Sequence, residues 1–109
     1  MTTAMTQQPN SAPGIRVIAE AHARDGALEQ LLAQAKLLIA PTRAEPGNIS
    51  YEILHDLDDP NHLVFVEHWQ SQAHFDAHLA SEHLAAYSQV TSPLLAGKVR
   101  IVTARTLTP

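Results

Sequence analysis

The segment EHWQSQAHFDAHLASEH, residues 67–83, decides the fold because it joins the end of an apolar strand to the start of a helix. It contains the only tryptophan of the chain, Trp69, and four of the seven histidines. Gln70 and Ser71 mark the turn, and Ser71 is predicted to cap the helix by accepting a backbone N–H. Aromatic surface and groups that titrate near neutral pH are therefore concentrated here, as a small-molecule pocket requires.

The strand before this turn, Leu63 to Trp69, is apolar on both faces. Phe65 lies on the same face as Leu63 and Trp69, whereas Val64 and Val66 lie on the opposite face. An antiparallel strand with one solvated face normally alternates apolar and polar residues, so both faces are expected to be covered. Because so small a chain would otherwise expose an apolar patch, we expect a homodimer sealed through the sheet.

The helix after Ser71 is predicted to turn Phe75, Leu79 and Ala80 towards the core. A break is expected near residue 81, before a second helical segment. The histidines of this region then lie on and around a short, interrupted helix.

Period-two alternation predicts three further strands, at residues 15–23, 49–55 and 99–107. The strands at 49–55 and 63–69 are expected to form a hairpin around an acidic loop. Between the first two strands, apolar residues at helical spacing predict a helix from residue 28 to residue 39.

Two residues are predicted to delimit that first helix. Asp25 is expected to cap its start, and Pro41, which lacks a backbone N–H, is expected to kink or end it. The resulting order, β-α-β-β-α-β, predicts an α+β ferredoxin-like fold with a four-stranded antiparallel sheet.

Composition and charge limit the classes of protein to which the chain can belong. The 109 residues are 45% hydrophobic and 17% charged, which predicts one globular domain at residues 15–107 after a disordered lead-in at residues 1–14. The net charge of -4 and the scattered basic residues argue against a nucleic-acid partner. The absence of cysteine excludes thiolate chemistry and cysteine-based zinc sites. No apolar run reaches the ~20 residues that span a membrane, and no secretory signal is recognisable, so a cytoplasmic protein is expected.

Three histidines are candidates for chemistry. His74 and His78 are four residues apart, a helical spacing that can hold a metal ion. The sequence places no third ligand beside them, so we expect no metal and interpret the pair as surface residues. His83 lies at the predicted helix break, where it could cap the helix or face a cavity.

Glu67 is the most informative carboxylate because it shares a strand face with Trp69. A carboxylate on an inward face requires a hydrogen-bonding partner or a solvated cavity. The candidates for that partner are His78, Tyr51 and Tyr87.

Several of these residues belong to a recognisable pattern. The sequence Glu45-Pro46-Gly47, followed by Tyr51-Glu52, by Val66 to Trp69 and by Ala77 to His83, resembles the antibiotic biosynthesis monooxygenase family over about residues 15–107. Residues 67–88 are most similar to its bacterial quinol monooxygenases. The resemblance implies a dimeric α+β barrel with a cavity between sheet and helices in each subunit. It also implies oxidation of a phenolic or quinol substrate by O2 without metal, flavin or haem.

The resemblance also implies a set of site residues. The aromatic side chains expected to bind the substrate are Tyr51, Phe65, Trp69, Phe75 and Tyr87. His78 and His83 are the candidates for the base or proton relay, and Glu67, as a further catalytic candidate, is expected to orient the ring hydroxyl together with Tyr51.

Other positions bear on related activities. Ser88 stands where haem-degrading relatives carry an iron-ligating histidine, so no haem is expected. Phe65 and Gln89 replace an asparagine and an arginine of the branch that oxidises aromatic polyketides, and the substrate stays open. Two alternatives remain: an isomerase of a small hydroxyketone that uses the same histidines and Glu67 for proton transfer, and a non-catalytic module that binds a small aromatic.

Overall fold

The computed structural model describes residues 14–108, in which four strands and four α-helices follow the predicted order. The elements are β1 (Ile15–His22), α1 (Leu28–Leu37), α2 (Ile39–Arg43), β2 (Asn48–His55), β3 (His62–Trp69), α3 (Gln72–Leu79), α4 (Glu82–Thr91), a 3-10 turn (Ser92–Leu94) and β4 (Arg100–Ala104). The last strand is shorter than predicted. Apart from its final glycine, the predicted lead-in lies outside the described residues.

The strands form one antiparallel sheet in the order β2-β3-β1-β4, which confirms the predicted fold class. In the register of the sheet, Glu67 on β3 lies between Tyr51 on β2 and Val17 on β1. Side chains directly opposite one another point to the same face of a sheet. The carboxyl of Glu67 and the ring of Tyr51 are therefore neighbours on the face that the helices cover.

The core forms where α1 packs on this inner face. Leu31, Ala35 and Leu38 are buried against the sheet. On the central strand β1 the inward residues include Ala19 and Ala21, whose side chains are single methyl groups. Small side chains on a central strand leave room between sheet and helices, and this room is the cavity described below.

The first helical region breaks at Leu38, as Pro41 predicts. Since Pro41 has no N–H to donate to the carbonyl of Leu37, α1 ends there and a short α2 follows. The predicted cap is wrong, however, because the residue at the N-cap is Ala27, with no side-chain cap. The Asp25 carboxylate instead accepts a hydrogen bond from Asn61 Nδ2 at 3.3 Å.

The second helical region begins as predicted but faces the core differently. Ser71 Oγ accepts the backbone N–H of His74 at 3.2 Å, which confirms the cap. The prediction that Ala80 points inward is wrong, because Ala80 is exposed. Leu79 is 46% exposed but borders the cavity described below. Phe75 is buried as predicted, and His78, three residues later, is buried as well. His78 is thus an inward-facing residue, not the surface histidine expected.

The opposite face of the sheet carries apolar side chains as well. Ile18 is 40% exposed and Leu54 is 50% exposed, and Val64 and Val66 beside them are half-buried. None of the helices within residues 14–108 combines the length and apolarity needed to cross a bilayer.

Candidate functional site

A cavity of about 310 Å³ lies between the inner face of the sheet and the helices α3 and α4. Its lining is largely apolar and includes six of the eight predicted site residues, namely Tyr51, Phe65, Glu67, Phe75, His78 and Tyr87. The half-exposed residues Val99 and Ile101 border it on the β4 side. Two predicted site residues, Trp69 and His83, do not line it.

Glu67 is buried and finds its partner on its own strand. Its Oε1 accepts a hydrogen bond from Trp69 Nε1 at 2.8 Å, whereas the sequence suggested His78, Tyr51 or Tyr87. Burial raises the pKa of Glu67, while the Trp69 N–H and the positive charge of a protonated His78 act in the opposite direction. The carboxyl therefore keeps its proton to a higher pH than an exposed glutamate does.

Trp69 lies behind the cavity wall. It is fully buried, and its ring centroid is 4.9 Å from that of His78 and 6.2 Å from that of Phe75. Its position supports two cavity residues at once, because it donates to Glu67 and packs against the His78 ring.

His78 is oriented by a carboxylate from a distant turn. Its Nδ1 lies 2.6 Å from Glu45 Oε2, and both side chains are largely buried. A carboxylate accepts, so Nδ1 carries the proton and the lone pair of the neutral ring is on Nε2. Among residues 14–108, no group is hydrogen-bonded to that nitrogen, and His78 lines the cavity. The geometry is that of an oriented base.

Glu45 is held in place by the turn that precedes β2. Asn48 N donates to Glu45 O at 3.2 Å, and Gln70 N donates to Gly47 O at 2.8 Å. Gly47 has φ +81°, and the ring of His74 occupies the space that a side chain there would need. Only glycine fits this backbone conformation under the histidine ring, so Gly47 and His74 together fix the path of the turn.

His83 binds the same oxygen of Glu45 from the other side. Its Nε2 is 2.7 Å from Glu45 Oε2, and the side chain is 26% exposed. His74 is not part of this cluster, because its Nδ1 is 2.8 Å from Ser71 Oγ. The metal-ligand prediction from sequence therefore requires correction. It paired His78 with His74 and found no third ligand, whereas the structure brings Glu45 and His83 to His78.

Glu45 is the site residue that the sequence reasoning missed. Its only signal was its place in the Glu45-Pro46-Gly47 turn. Nothing in local spacing indicates that residue 45 meets residues 78 and 83, which lie on two helices.

Tyr51 contributes a neutral hydroxyl group beside the acid. Burial, followed by the neighbouring charge of Glu67, raises the pKa of Tyr51 well above its ordinary value. Arg43 binds β2 at this residue, because its Nη2 donates to the Tyr51 carbonyl oxygen at 2.8 Å. Burial also raises the pKa of Tyr87. Both phenols thus stay protonated and can donate hydrogen bonds.

Comparison with known proteins gives one consistent family. The sequence model of the family described as "Antibiotic biosynthesis monooxygenase" matches residues 14–90. The "Putative monooxygenase Rv0793" of Mycobacterium tuberculosis is 34% identical over 87 residues, which are 80% of this chain and 85% of that protein. Its solved structure superposes with a TM-score of 0.83 at 31% identity, covering 88% of this chain and 97% of that one.

Two other relatives match over shorter stretches. The "Probable quinol monooxygenase YgiN" of Escherichia coli K12 is 41% identical over 44 residues, which are 39% of this chain and 42% of that protein. An uncharacterized protein of Synechocystis is 32% identical over 73 residues, 67% of this chain. The match spans only half the length of that cyanobacterial protein.

Proposed function

Because the chain belongs to the antibiotic biosynthesis monooxygenase family, we propose that it oxidises a quinol-like or phenolic small molecule with O2, without a metal or organic cofactor. The observation that carries the proposal is the convergence of three polar groups on one apolar cavity. Tyr51, Glu67 and His78 line it from two strands and one helix. Apolar pockets with a few converging polar groups are the usual form of a small-molecule site.

His78 is the base in this proposal. Glu45 holds the proton on Nδ1 and so directs the Nε2 lone pair to the substrate, where it accepts the proton of a ring hydroxyl. The carboxylate also stabilises the imidazolium that forms. Of the two histidines expected as base or relay, His78 is preferred because it lines the cavity, and His83 acts through Glu45.

Tyr51 and Glu67 position the substrate. Tyr51, as a protonated phenol, and Glu67, in its protonated form, can donate hydrogen bonds to the anion that develops on the ring oxygen. Phe65, Phe75 and Tyr87 supply aromatic surface around the ring. The apolar lining keeps water away and so strengthens these interactions.

The electrons of the reaction come from the substrate. Loss of the hydroxyl proton makes the ring electron-rich enough to reduce O2 at a ring carbon that bears hydrogen. One oxygen atom forms a bond to that carbon, and the other leaves as water. A hydroquinone and O2 thus give a hydroxyquinone and water, and the four electrons that reduce O2 are balanced by a four-electron oxidation of the ring.

Oxygen uptake with a substituted hydroquinone in chelator-treated buffer tests this function. We expect uptake above the rate of autoxidation and one atom of labelled oxygen in the product. His78→Ala should lower the rate by ~10²–10⁴, the usual contribution of a general base. His55→Ala is the matched control and should keep the wild-type rate, because His55 is exposed, contacts the Pro60 carbonyl oxygen and lies outside the cavity.

Each alternative has its own outcome. Turnover of a hydroxyketone without oxygen uptake would indicate an isomerase. Saturable binding of an aromatic without turnover would indicate a binding module. Equal rates for the wild type and His78→Ala would refute the assignment of the base.

We also propose that the chain forms a homodimer through the outer face of the sheet. The supporting observation is the apolar surface formed by Ile18, Leu54, Val64 and Val66. Val64→Glu would place an unpaired carboxylate in the interface and should yield monomers. Sedimentation at micromolar concentration tests this, and a monomeric wild type would contradict it.

A further inference from the structure

We propose that Glu45, His78 and His83 form a binding site for a divalent transition-metal ion, Zn²⁺ in the first instance, and that the bound ion inactivates His78 as a base. The three ligand atoms are a carboxylate oxygen of Glu45, Nδ1 of His78 and Nε2 of His83, and all lie within 4.8 Å of one another. The inhibitory part of this inference rests on the proposed function, whereas the binding itself does not.

The geometry requires only small movements of the side chains. Zinc bonds of about 2.0–2.2 Å in a tetrahedral site separate neighbouring ligand atoms by about 3.4 Å. The Glu45 oxygen is now 2.6 Å from His78 Nδ1 and 2.7 Å from His83 Nε2. The two hydrogen bonds would open by about 0.7–0.8 Å as the ion replaces their protons. The partial exposure of His83 provides a path of entry.

The donor set selects the kind of ion. Two imidazoles and one carboxylate suit Zn²⁺ and its neighbours in the transition series, whereas Mg²⁺ and Ca²⁺ prefer oxygen ligands. With one negative charge from Glu45 and two neutral rings, the site leaves a divalent ion with a net charge of +1. Water or hydroxide can complete the fourth position at the exposed side.

Binding of the ion reverses the role of Nε2 of His78, the ring nitrogen that does not contact Glu45. In the metal-free cluster the ring carries its proton on Nδ1, opposite Glu45, and keeps a lone pair on Nε2. An ion bound to Nδ1 needs a lone pair on Nδ1 itself, so the neutral ring must carry its proton on Nε2. The ring proton moves from Nδ1 to Nε2 by exchange with solvent, and the number of protons on the ring does not change. Nε2 then donates and can no longer accept a substrate proton.

The ion would lie behind the cavity and not in it. Of its three ligands only His78 lines the cavity, and it binds through the nitrogen on the Glu45 side. The ion therefore acts on the substrate only through the imidazole ring. This distinguishes an inhibitory site from one in which the metal contacts the substrate.

Calorimetric titration of Zn²⁺ into chelator-stripped protein tests the binding. We expect one saturable site per chain in the wild type. Glu45→Gln and His83→Ala each remove one ligand atom, and each should weaken binding by about 100-fold or more, since even loss of an outer partner of a ligand costs about 10–100-fold. Thermal melts of both variants verify that they fold, and excess Mg²⁺ should not compete.

His62→Ala is the matched control. His62 also contacts two carboxylates, Asp56 at 2.8 Å and Glu20 at 2.9 Å, and neither of them is a proposed ligand. The control should bind Zn²⁺ as the wild type does. Absence of a saturable site, or wild-type affinity in both Glu45→Gln and His83→Ala, would overturn the proposal.

Nitrogen NMR of the histidine rings tests the change of tautomer directly. On addition of Zn²⁺, the His78 Nε2 resonance should move from the range of an unprotonated ring nitrogen to that of an N–H. If the protein oxidises a hydroquinone as proposed, Zn²⁺ should inhibit over the same concentration range in which it binds, and chelator should restore the rate. Binding without the Nε2 change would refute the proposed mechanism of inhibition even if no substrate is known.

Discussion

Replacing Trp69 with phenylalanine tests how the buried carboxyl of the site is held. The substitution removes the indole N–H that donates to Glu67 Oε1 at 2.8 Å and leaves an aromatic ring in place. A hydrogen bond to a charged group contributes about 1.5–3 kcal/mol. The smaller ring loses further packing, about 1 kcal/mol as a fraction of the 3–5 kcal/mol that full truncation of a tryptophan costs. We expect the free energy of unfolding at pH 8 to fall by about 2.5–4 kcal/mol.

The loss should depend on pH because Glu67 titrates. Burial raises the pKa of Glu67, and the Trp69 N–H counteracts that effect, so the phenylalanine variant raises this pKa further. The extra cost appears only where the carboxyl ionises, and it grows as the pH rises through the pKa of Glu67. At pH 4 the carboxyl is protonated, and a neutral hydrogen bond of about 0.5–1.5 kcal/mol is lost instead.

Denaturant unfolding at fixed protein concentration, at pH 4 and pH 8, measures this difference. Phe65→Leu is the matched control, because it replaces an aromatic ring on the same face of β3 with a smaller side chain and removes no hydrogen-bond donor. The free energy of unfolding that it costs should not change with pH. A cycle with Glu67→Leu should give a coupling energy of about 1.5–3 kcal/mol at pH 8. A pH-independent cost of Trp69→Phe together with a coupling energy near zero would refute the reasoning.

Two further stability predictions concern other parts of the fold. Gly47→Ala should cost about 2–4 kcal/mol by denaturant unfolding, because alanine is strained at φ +81° and overlaps the His74 ring; a loss below 0.5 kcal/mol would contradict this. The second prediction concerns His62 and Asp56. The hydrogen bond between their side chains raises the pKa of His62 and lowers that of Asp56 to about 2. Their pairing should therefore stabilise the fold fully between about pH 4 and 6.5, less as the pH rises through the pKa of His62, and less as it falls towards 2. Melting temperatures of wild type and His62→Gln across this range should differ most near pH 5, and an equal difference at pH 9 would argue against the pairing.

The sequence alone determined the order of elements and the faces of the central strands. Period-two alternation in β3 put Glu67 on the same side as Trp69, and the structure confirms that both are inward. Ser71 as a cap and the break after Leu37 likewise follow from local chemistry, since both depend on backbone groups only a few residues away. Each of these features involves residues within about one helical turn or one strand. Over that range, the number of residues between two positions determines how far apart they lie and which face they share.

The tertiary structure alone decided which distant groups meet. The hydrogen bonds that Glu45 accepts from His78 and His83 join residues 33 and 38 positions apart, and they depend on how two helices pack against one turn. The same packing turned His78 inward and left Leu79 exposed, because α3 is only 8 residues long and has no apolar stripe strong enough to fix its orientation. Periodicity assigns a side chain to a face of its own element, but the identity of its partner depends on the distance and angle between elements, which no local pattern contains.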